Sequence, residues 1–208
     1  MKCYRLNNDY SNIGDTGKDA FIYEFEGFDM IGSNILGMEK LSLPKPMFFS
    51  ADFKDDKFTD YPITDIHSPI MSQKMIDVIN PNIKNHLVEI YPCTMVDDTF
   101  LETPFKEKGV LKAEVKRKSD YYVLQLNIFE DIFCDIKSVY DESLIFPGKI
   151  GTIKKLVLKE PKDGFPLIFR ISQFRGYLFV SEQTKNNLEK NNIKGCVFEE
   201  VETTPTAV

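Results

Sequence analysis

The segment "GYLFVSEQTKNNLEKNNIKGCVFEEVE", residues 176–202, places a polar stretch between two apolar runs. Ser181 follows the first run, and its hydroxyl can accept a backbone N–H of a following helical turn. Glu182 adds a carboxylate beside the positive end of the helix dipole. We therefore predict a helix from Ser181 to about Asn191, a turn that ends at Gly195, and a strand on either side.

A second segment has the same order. "PIMSQKMIDVINPNIKNHLVEIYP", residues 69–92, predicts a strand, a helix of about two turns that begins at Ser72 and ends near Asn80, and a strand over 87–91. The serine and the valine of the following strand are 16 residues apart in both segments. We interpret the pair as a repeated strand–helix–strand unit, and the alternative is that two common local patterns arose independently.

Alternating apolar residues, rich in β-branched and aromatic types, predict further strands. These lie at 20–25, 47–53, 110–118, 121–129, 153–158 and 166–171. Lys118, Ser119 and Asp120 predict a hairpin turn between two of them. The expected class is α+β, with mixed or antiparallel sheets and two or three short helices. Polar residues, Pro104 and Gly109 interrupt the pattern and suggest an N-terminal part, 1–105, and a C-terminal part, 106–208, which share an interface or form one compact domain.

Length and composition indicate a folded protein rather than a disordered chain. The chain has 208 residues, of which 42% are hydrophobic and 12% aromatic. We expect a cytoplasmic protein without a membrane span, because the first residues lack the apolar run of a signal peptide and no window approaches about 18 apolar residues. The four cysteines form no CxxC pair, which favours reduced thiols.

Acidic residues are concentrated in the first half of the chain. Residues 1–110 carry a net charge of −7 and residues 111–208 a net charge of +1. Such a surface repels nucleic acid and attracts a basic partner. The candidate partner-binding residues are Asp52, Phe53, Asp55, Asp56, Phe58, Asp60 and Tyr61. The alternative is that the acids are only solvated and the aromatic residues belong to the core.

Catalytic and metal-binding patterns are weak. Cys93, His67 and Asp65 have the residue types of a cysteine-dependent enzyme, but no local signature surrounds Cys93. His67, His86 and Cys93 also lack metal-ligand spacing. Asp131 and Asp135 would share one face if their segment were helical. We therefore expect no catalytic residue, metal or cofactor.

The second half also resembles a known bacterial family. The order is a paired aromatic strand, an Asn, an Asp and a Ser, a Leu-rich strand, a Phe-Arg strand, and a Ser-led helix that ends in a Gly-x-x-Phe strand. The matching residues are Tyr121, Tyr122, Asn127, Asp135, Ser138, Phe169, Arg170, Gly195 and Phe198. This order resembles an immunity-protein family of polymorphic toxin systems, the immunity-eleven type, formerly described as a domain of unknown function. The likeness covers about 119–202, and 60–92 loosely.

The resemblance implies a non-catalytic protein that binds and neutralises a cognate toxin. It implies no catalytic residues. Two other functions stay open at this point: a small hydrolase or transferase that uses Cys93, and a secretion adaptor or regulatory protein that binds a partner from the same cell.

Overall fold

The computed structural model describes residues 1–10, 19–23, 47–51, 53, 59–66, 68–79, 88–97 and 103–205. These residues form sixteen strands and two short helices, α1 (Gln73–Ile79) and α2 (Glu182–Lys190). Most strands belong to two six-stranded sheets, which we call sheet A and sheet B. The two helices contact each other, and each also contacts one of the sheets.

Sheet A is built mainly from C-terminal strands and includes the first strand of the chain. Its order is β10 (Phe129–Glu130), β14 (Ile168–Ile171), β15 (Phe174–Ser181), β1 (Cys3–Asn8), β16 (Cys196–Thr204) and β13 (Val157–Lys159). Strand β1 is antiparallel to both β15 and β16, whereas β13 is parallel to β16.

Sheet B is built mainly from N-terminal strands. Its order is β4 (Ile63–Thr64), β2 (Asp19–Ile22), β3 (Met47–Ala51), β6 (Val88–Asp97), β9 (Arg117–Leu126) and β5 (Ile70–Ser72). Two separate pairs complete the described structure. They are β7 (Phe105–Glu107) with β8 (Val110–Leu111), and β11 (Val139–Glu142) with β12 (Ile150–Lys155).

The α+β class expected from the sequence is wrong, because the fold is mostly β. The two helices have only seven and nine residues, while strands make up most of the described elements. The physical reason is that alternating β-branched and aromatic residues dominate the apolar positions, and such residues pack well on the pleated surface of a sheet.

Both strand–helix–strand segments form, and they have the same topology. In the first segment, β5, α1 and β6 follow one another, and β9 lies between the two strands and is antiparallel to both. In the second segment, β15, α2 and β16 follow one another, and β1 takes the corresponding central position. The last strand of each segment also has a parallel neighbour on its other side. This neighbour is β3 beside β6 in sheet B, and β13 beside β16 in sheet A.

The local signals for the helix ends are confirmed. The Thr184 N–H donates to Ser181 Oγ at 3.3 Å, and the Met75 N–H donates to Ser72 Oγ at 3.1 Å. Gly195 has a φ of +89°, and a Cβ there would lie 2.7 Å from Thr59 Oγ1 and 2.8 Å from the Tyr61 carbonyl oxygen. Glycine is therefore needed both for the backbone conformation and for the close approach of the segment 59–61.

Two strand predictions are wrong. The hairpin turn at 118–120 does not form, because β9 continues through these residues and pairs with β6 on both sides of a bulge there, Tyr121 opposite Cys93 and Lys118 opposite Met95. The strand predicted over 110–118 is interrupted: β8 ends at Leu111, turns follow it, and β9 begins at Arg117. Pairing with a distant strand has overridden the local turn preference of these polar residues.

One hydrophobic core, which we call the shared core, lies between the helices and the two sheets. Its buried residues are Tyr4, Leu6, Tyr61, Met71, Met75, Ile76, Ile79, Val88, Leu124, Leu126, Ile168, Leu178, Val180 and Leu188. The parts 1–105 and 106–208 both contribute, and each supplies a strand to the sheet formed mainly by the other, β1 to sheet A and β9 to sheet B. The boundary between 105 and 106 stays a prediction.

Candidate functional site

Cys93, the candidate nucleophile, lies in the interior of sheet B. Its side chain is 1% exposed and packs among apolar residues of β2, β3 and β9. Burial raises the pKa of the Cys93 thiol, which disfavours the thiolate that a nucleophile needs. Asp65 accepts the Ile22 N–H at 3.2 Å, while His67 and His86 lie outside the described residues. The position of Cys93 is that of a core residue.

Metal-ligating side chains do not converge in the described part of the chain. No group of three or more His, Cys, Asp or Glu residues is arranged there to hold an ion. Asp131 and Asp135 do not share a helix face, because the segment after β10 is not helical and contains a single bridge, between Phe133 and Leu158, followed by a turn. Asp131 instead accepts a hydrogen bond from Gln173 Nε2.

The described acids and aromatics of the predicted partner-binding segment face the fold. Tyr61 is 6% exposed and belongs to the shared core. Asp60 accepts hydrogen bonds from Ser72 Oγ at 2.7 Å and from the Lys194 N–H at 2.9 Å. Asp60 therefore joins the start of α1 to the turn after α2.

Phe53 is half-buried against the interior of sheet B, and Lys118 Nζ lies 5.4 Å from its ring centroid. Asp52, Asp55, Asp56 and Phe58 lie outside the described residues. Binding of a partner through these residues stays a prediction. The packing of Tyr61 agrees with the alternative interpretation, in which the aromatic residues of this segment belong to the core.

A different region exposes apolar side chains. The loop between β11 and β12, residues 143–149, which we call the hairpin tip, contains Leu144, Ile145 and Phe146 in succession. Their exposures are 102%, 78% and 65%. Contiguous exposed apolar surface in a folded protein commonly marks a binding region. The hairpin tip is therefore the strongest candidate for an interaction site in the described structure.

The backbone of the hairpin tip is held by its own hydrogen bonds. The Ser143 N–H donates to the Lys149 carbonyl at 2.8 Å, and the Phe146 N–H donates to Ser143 Oγ at 3.1 Å. Gly148 has a φ of +74°, and a Cβ on Gly151 would lie 2.9 Å from Ser143 Cα. The three apolar side chains thus project from an ordered turn, which lowers the entropy lost when they bind.

The base of the same hairpin is anchored to sheet A. The Tyr140 ring packs edge-on against Phe133, with 5.4 Å between the ring centroids. Ile150 and Ile153 pack against the buried apolar cluster on the face of sheet A opposite the shared core. One side of the hairpin is therefore buried, while its tip stays in solvent.

Sequence reasoning missed the hairpin tip because it weighed charges rather than apolar residues in this region. The stretch "SLIFPG", residues 143–148, combines three apolar residues with the turn residues Pro147 and Gly148. Pro147 and Gly148 favour a turn at this point, and connecting segments usually run over the protein surface. This signal was available in the sequence, but it does not tell whether another element covers the loop.

No helix among the described residues combines the length and apolar character needed to cross a membrane. A scan against protein-family models and a search of curated proteins found no match to this chain. The resemblance to toxin immunity proteins accordingly stays a hypothesis that depends on the motif residues alone.

Proposed function

We propose that this chain is a non-catalytic immunity protein that binds and neutralises a cognate protein toxin, with the hairpin tip as an anchor of the interface. The observation that carries the proposal is the exposure of Leu144, Ile145 and Phe146 on a hydrogen-bonded turn. Burying such a side chain contributes about 1.5–3 kcal/mol. Three adjacent anchors of this size can provide a large share of the binding energy of a protein complex.

The charges around the hairpin favour a protein over an anionic membrane as the partner. Lys154 Nζ is 2.8 Å from Asp141, and Lys155 Nζ is 2.9 Å from Glu202, so among the three lysines of the hairpin only Lys149 has no ion pair to a described residue. The chain as a whole carries a formal net charge of −6. A loop that inserts into anionic lipid normally has a basic surround, and an acidic chain instead attracts a basic protein.

The toxin as the specific partner is supported by the motif resemblance in residues 119–202. That region includes the whole β11–β12 hairpin as well as β14, β15, α2 and most of β16. The buried position of Cys93 also favours a binding role over the cysteine-dependent enzyme, because a core thiol is inert.

A protection assay tests the proposal. The chain is co-expressed with the product of the adjacent open reading frame as the toxin under test, and cell survival is compared for the wild type and a variant with Leu144→Ser, Ile145→Ser and Phe146→Ser. We expect the wild type to protect and the triple variant to lose at least about 100-fold in affinity, and with it protection. Ile136→Ser with Val139→Ser is the matched control, because these apolar residues are also exposed but lie outside the tip.

The outcomes separate the competing functions. Survival with the triple variant at the wild-type level would remove the hairpin tip from the interface. Binding without protection by the wild type would favour the secretion adaptor. Rapid labelling of Cys93 by a thiol reagent at neutral pH would favour the cysteine-dependent enzyme instead.

A further inference from the structure

A cavity of about 350 Å³ lies between sheet A and the segment that follows Asp60. Its walls come from β1, β14, β15 and described residues between Tyr61 and Pro69, and they include Leu6, Ile66 and Leu178 as apolar surface. This volume is within the range of pockets that hold small molecules. The cavity is remote in sequence from the hairpin tip, and the proposed toxin binding does not use it.

Arg170 lines this cavity from β14, and it is 3% exposed. Its Nη1 donates to the Arg175 carbonyl. Among the described residues, no carboxylate lies within ion-pair distance of its guanidinium. A buried cation without a counter-ion is strongly unfavourable. Burial accordingly lowers the pKa of Arg170.

Two residues with hydroxyl groups also line the same cavity. Ser68 is 3% exposed, and its Oγ has no hydrogen-bond partner among the described residues. Tyr61 adds a phenol as a further hydrogen-bond donor. Buried polar groups are nearly always paired, so the unpaired Ser68 hydroxyl and the buried Arg170 guanidinium on one cavity indicate that a ligand completes the site.

The charge of the cavity identifies the chemistry of that ligand. The described lining residues include two arginines and no Asp or Glu. Arg5 already has partners, since its Cζ lies 3.6 Å from the Tyr177 ring centroid and its Nη1 lies 3.7 Å from Glu199. Among the described lining residues, Arg170 therefore contributes a charge of about +1 that no carboxylate compensates. One carboxylate matches this charge and the fork of the guanidinium, whereas a phosphate dianion would leave excess negative charge.

We propose that this cavity binds a small monocarboxylate with an apolar or aromatic body. Its carboxylate accepts hydrogen bonds from Arg170, Ser68 and Tyr61, and its body packs against Leu6, Ile66 and Leu178. Because the walls are apolar, a ligand with a hydrophobic group gains free energy from apolar burial that a bare anion does not gain. We therefore expect a bare anion to bind more weakly.

The test measures the melting temperature of the full chain with phenylacetate, and with acetate, inorganic phosphate and phenethylamine at the same ionic strength. We expect phenylacetate at about ten times its Kd to raise the Tm by roughly 3–6 °C. Acetate should act more weakly, and phosphate and phenethylamine should have no effect. A phosphate effect equal to that of phenylacetate, or no effect of either carboxylate, would overturn the proposal.

Variants assign the effect to the site. Arg170→Met should abolish the phenylacetate shift and raise the ligand-free Tm by about 2–5 °C, because it removes an uncompensated buried charge. Arg175→Met is the matched control, since its guanidinium lies over the Phe129 ring, 4.8 Å from the centroid, and it should keep the shift. A shift that persists in Arg170→Met, or a lower ligand-free Tm, overturns the proposal. If Arg170→Met does not fold, two other measurements decide the same question. Ser68→Ala should reduce the phenylacetate shift in Tm, and phenylacetate should change the amide chemical shift of Leu178 in the wild type. Absence of both effects overturns the proposal.

Discussion

The start of the segment Thr59–Ile66 and the hairpin tip place their side chains opposite to what their residue types suggest. In the first, Thr59 is buried and Asp60 is held by two hydrogen bonds within the fold, although both residues are polar. The second contains three adjacent apolar residues, and all three are exposed. The comparison teaches that residue type alone is a poor guide to an interaction surface. A carboxylate can be a structural tie, and an aliphatic run can be a binding surface.

The largest expected effect tests the inward-facing segment. Asp60→Ala should lower the free energy of unfolding by about 2–4 kcal/mol, because it removes two charge-assisted hydrogen bonds that join the two strand–helix–strand segments. Urea denaturation measures this. Asp65→Ala is the control, since its carboxylate is exposed and accepts the Ile22 N–H, and it should lower stability by about 1 kcal/mol or less. Equal effects of the two variants would place Asp60 among the ordinary surface acids.

An intermediate effect tests the rigidity of the hairpin tip. Gly151→Ala should lower stability by about 1–3 kcal/mol, since its Cβ would press on the backbone of Ser143 and Glu142. Hydrogen exchange should show faster exchange of the Ser143 and Phe146 amide protons. Gly109→Ala is the matched control: it has a φ of +75° but no atom within 4 Å of the new Cβ, so the tip amides should be unaffected. Unchanged exchange in Gly151→Ala would mean that the tip is not held by this contact.

The smallest expected effect concerns the tip side chains themselves. The triple change Leu144→Ser, Ile145→Ser and Phe146→Ser should alter the free energy of unfolding by about 0.5 kcal/mol or less, because these residues contribute nothing to the core. Ile153→Ser at the base of the hairpin serves as the comparison, and it should be clearly destabilising because that side chain packs on sheet A. Loss of stability in the triple variant similar to that of Ile153→Ser would show that the tip is part of the packing.

Both strand–helix–strand segments were predictable, because their signals are local. Ser181 and Ser72 cap their helices through atoms three residues away, and Gly195 adopts the backbone conformation that glycine favours. The class was wrong because two short helices weigh little against two six-stranded sheets. The turn at 118–120 was wrong because β9 continues where β6 offers a partner.

The candidate sites were less predictable than the fold. The sequence predicts Phe169 and Arg170 as part of a strand, but nothing near them indicates that Arg170 has no counter-ion among the described residues. That fact depends on every residue that packs around the guanidinium. In the same way, the exposure of Leu144 depends on the absence of a covering element among the described residues, and no sequence window around it contains that information.

The amino-acid sequence by itself determined where the two helices begin and end, that strands dominate the second half, and that a turn with the backbone conformation of glycine lies at position 195. These features depend on interactions between residues a few positions apart. Only the tertiary structure decided that β1 joins the C-terminal sheet, that Asp60 binds the backbone of Lys194, and that Arg170 is buried while the hairpin tip is exposed. The physical reason is distance along the chain, since Asp60 and Lys194 are separated by 134 positions and meet only once both sheets have packed on the shared core.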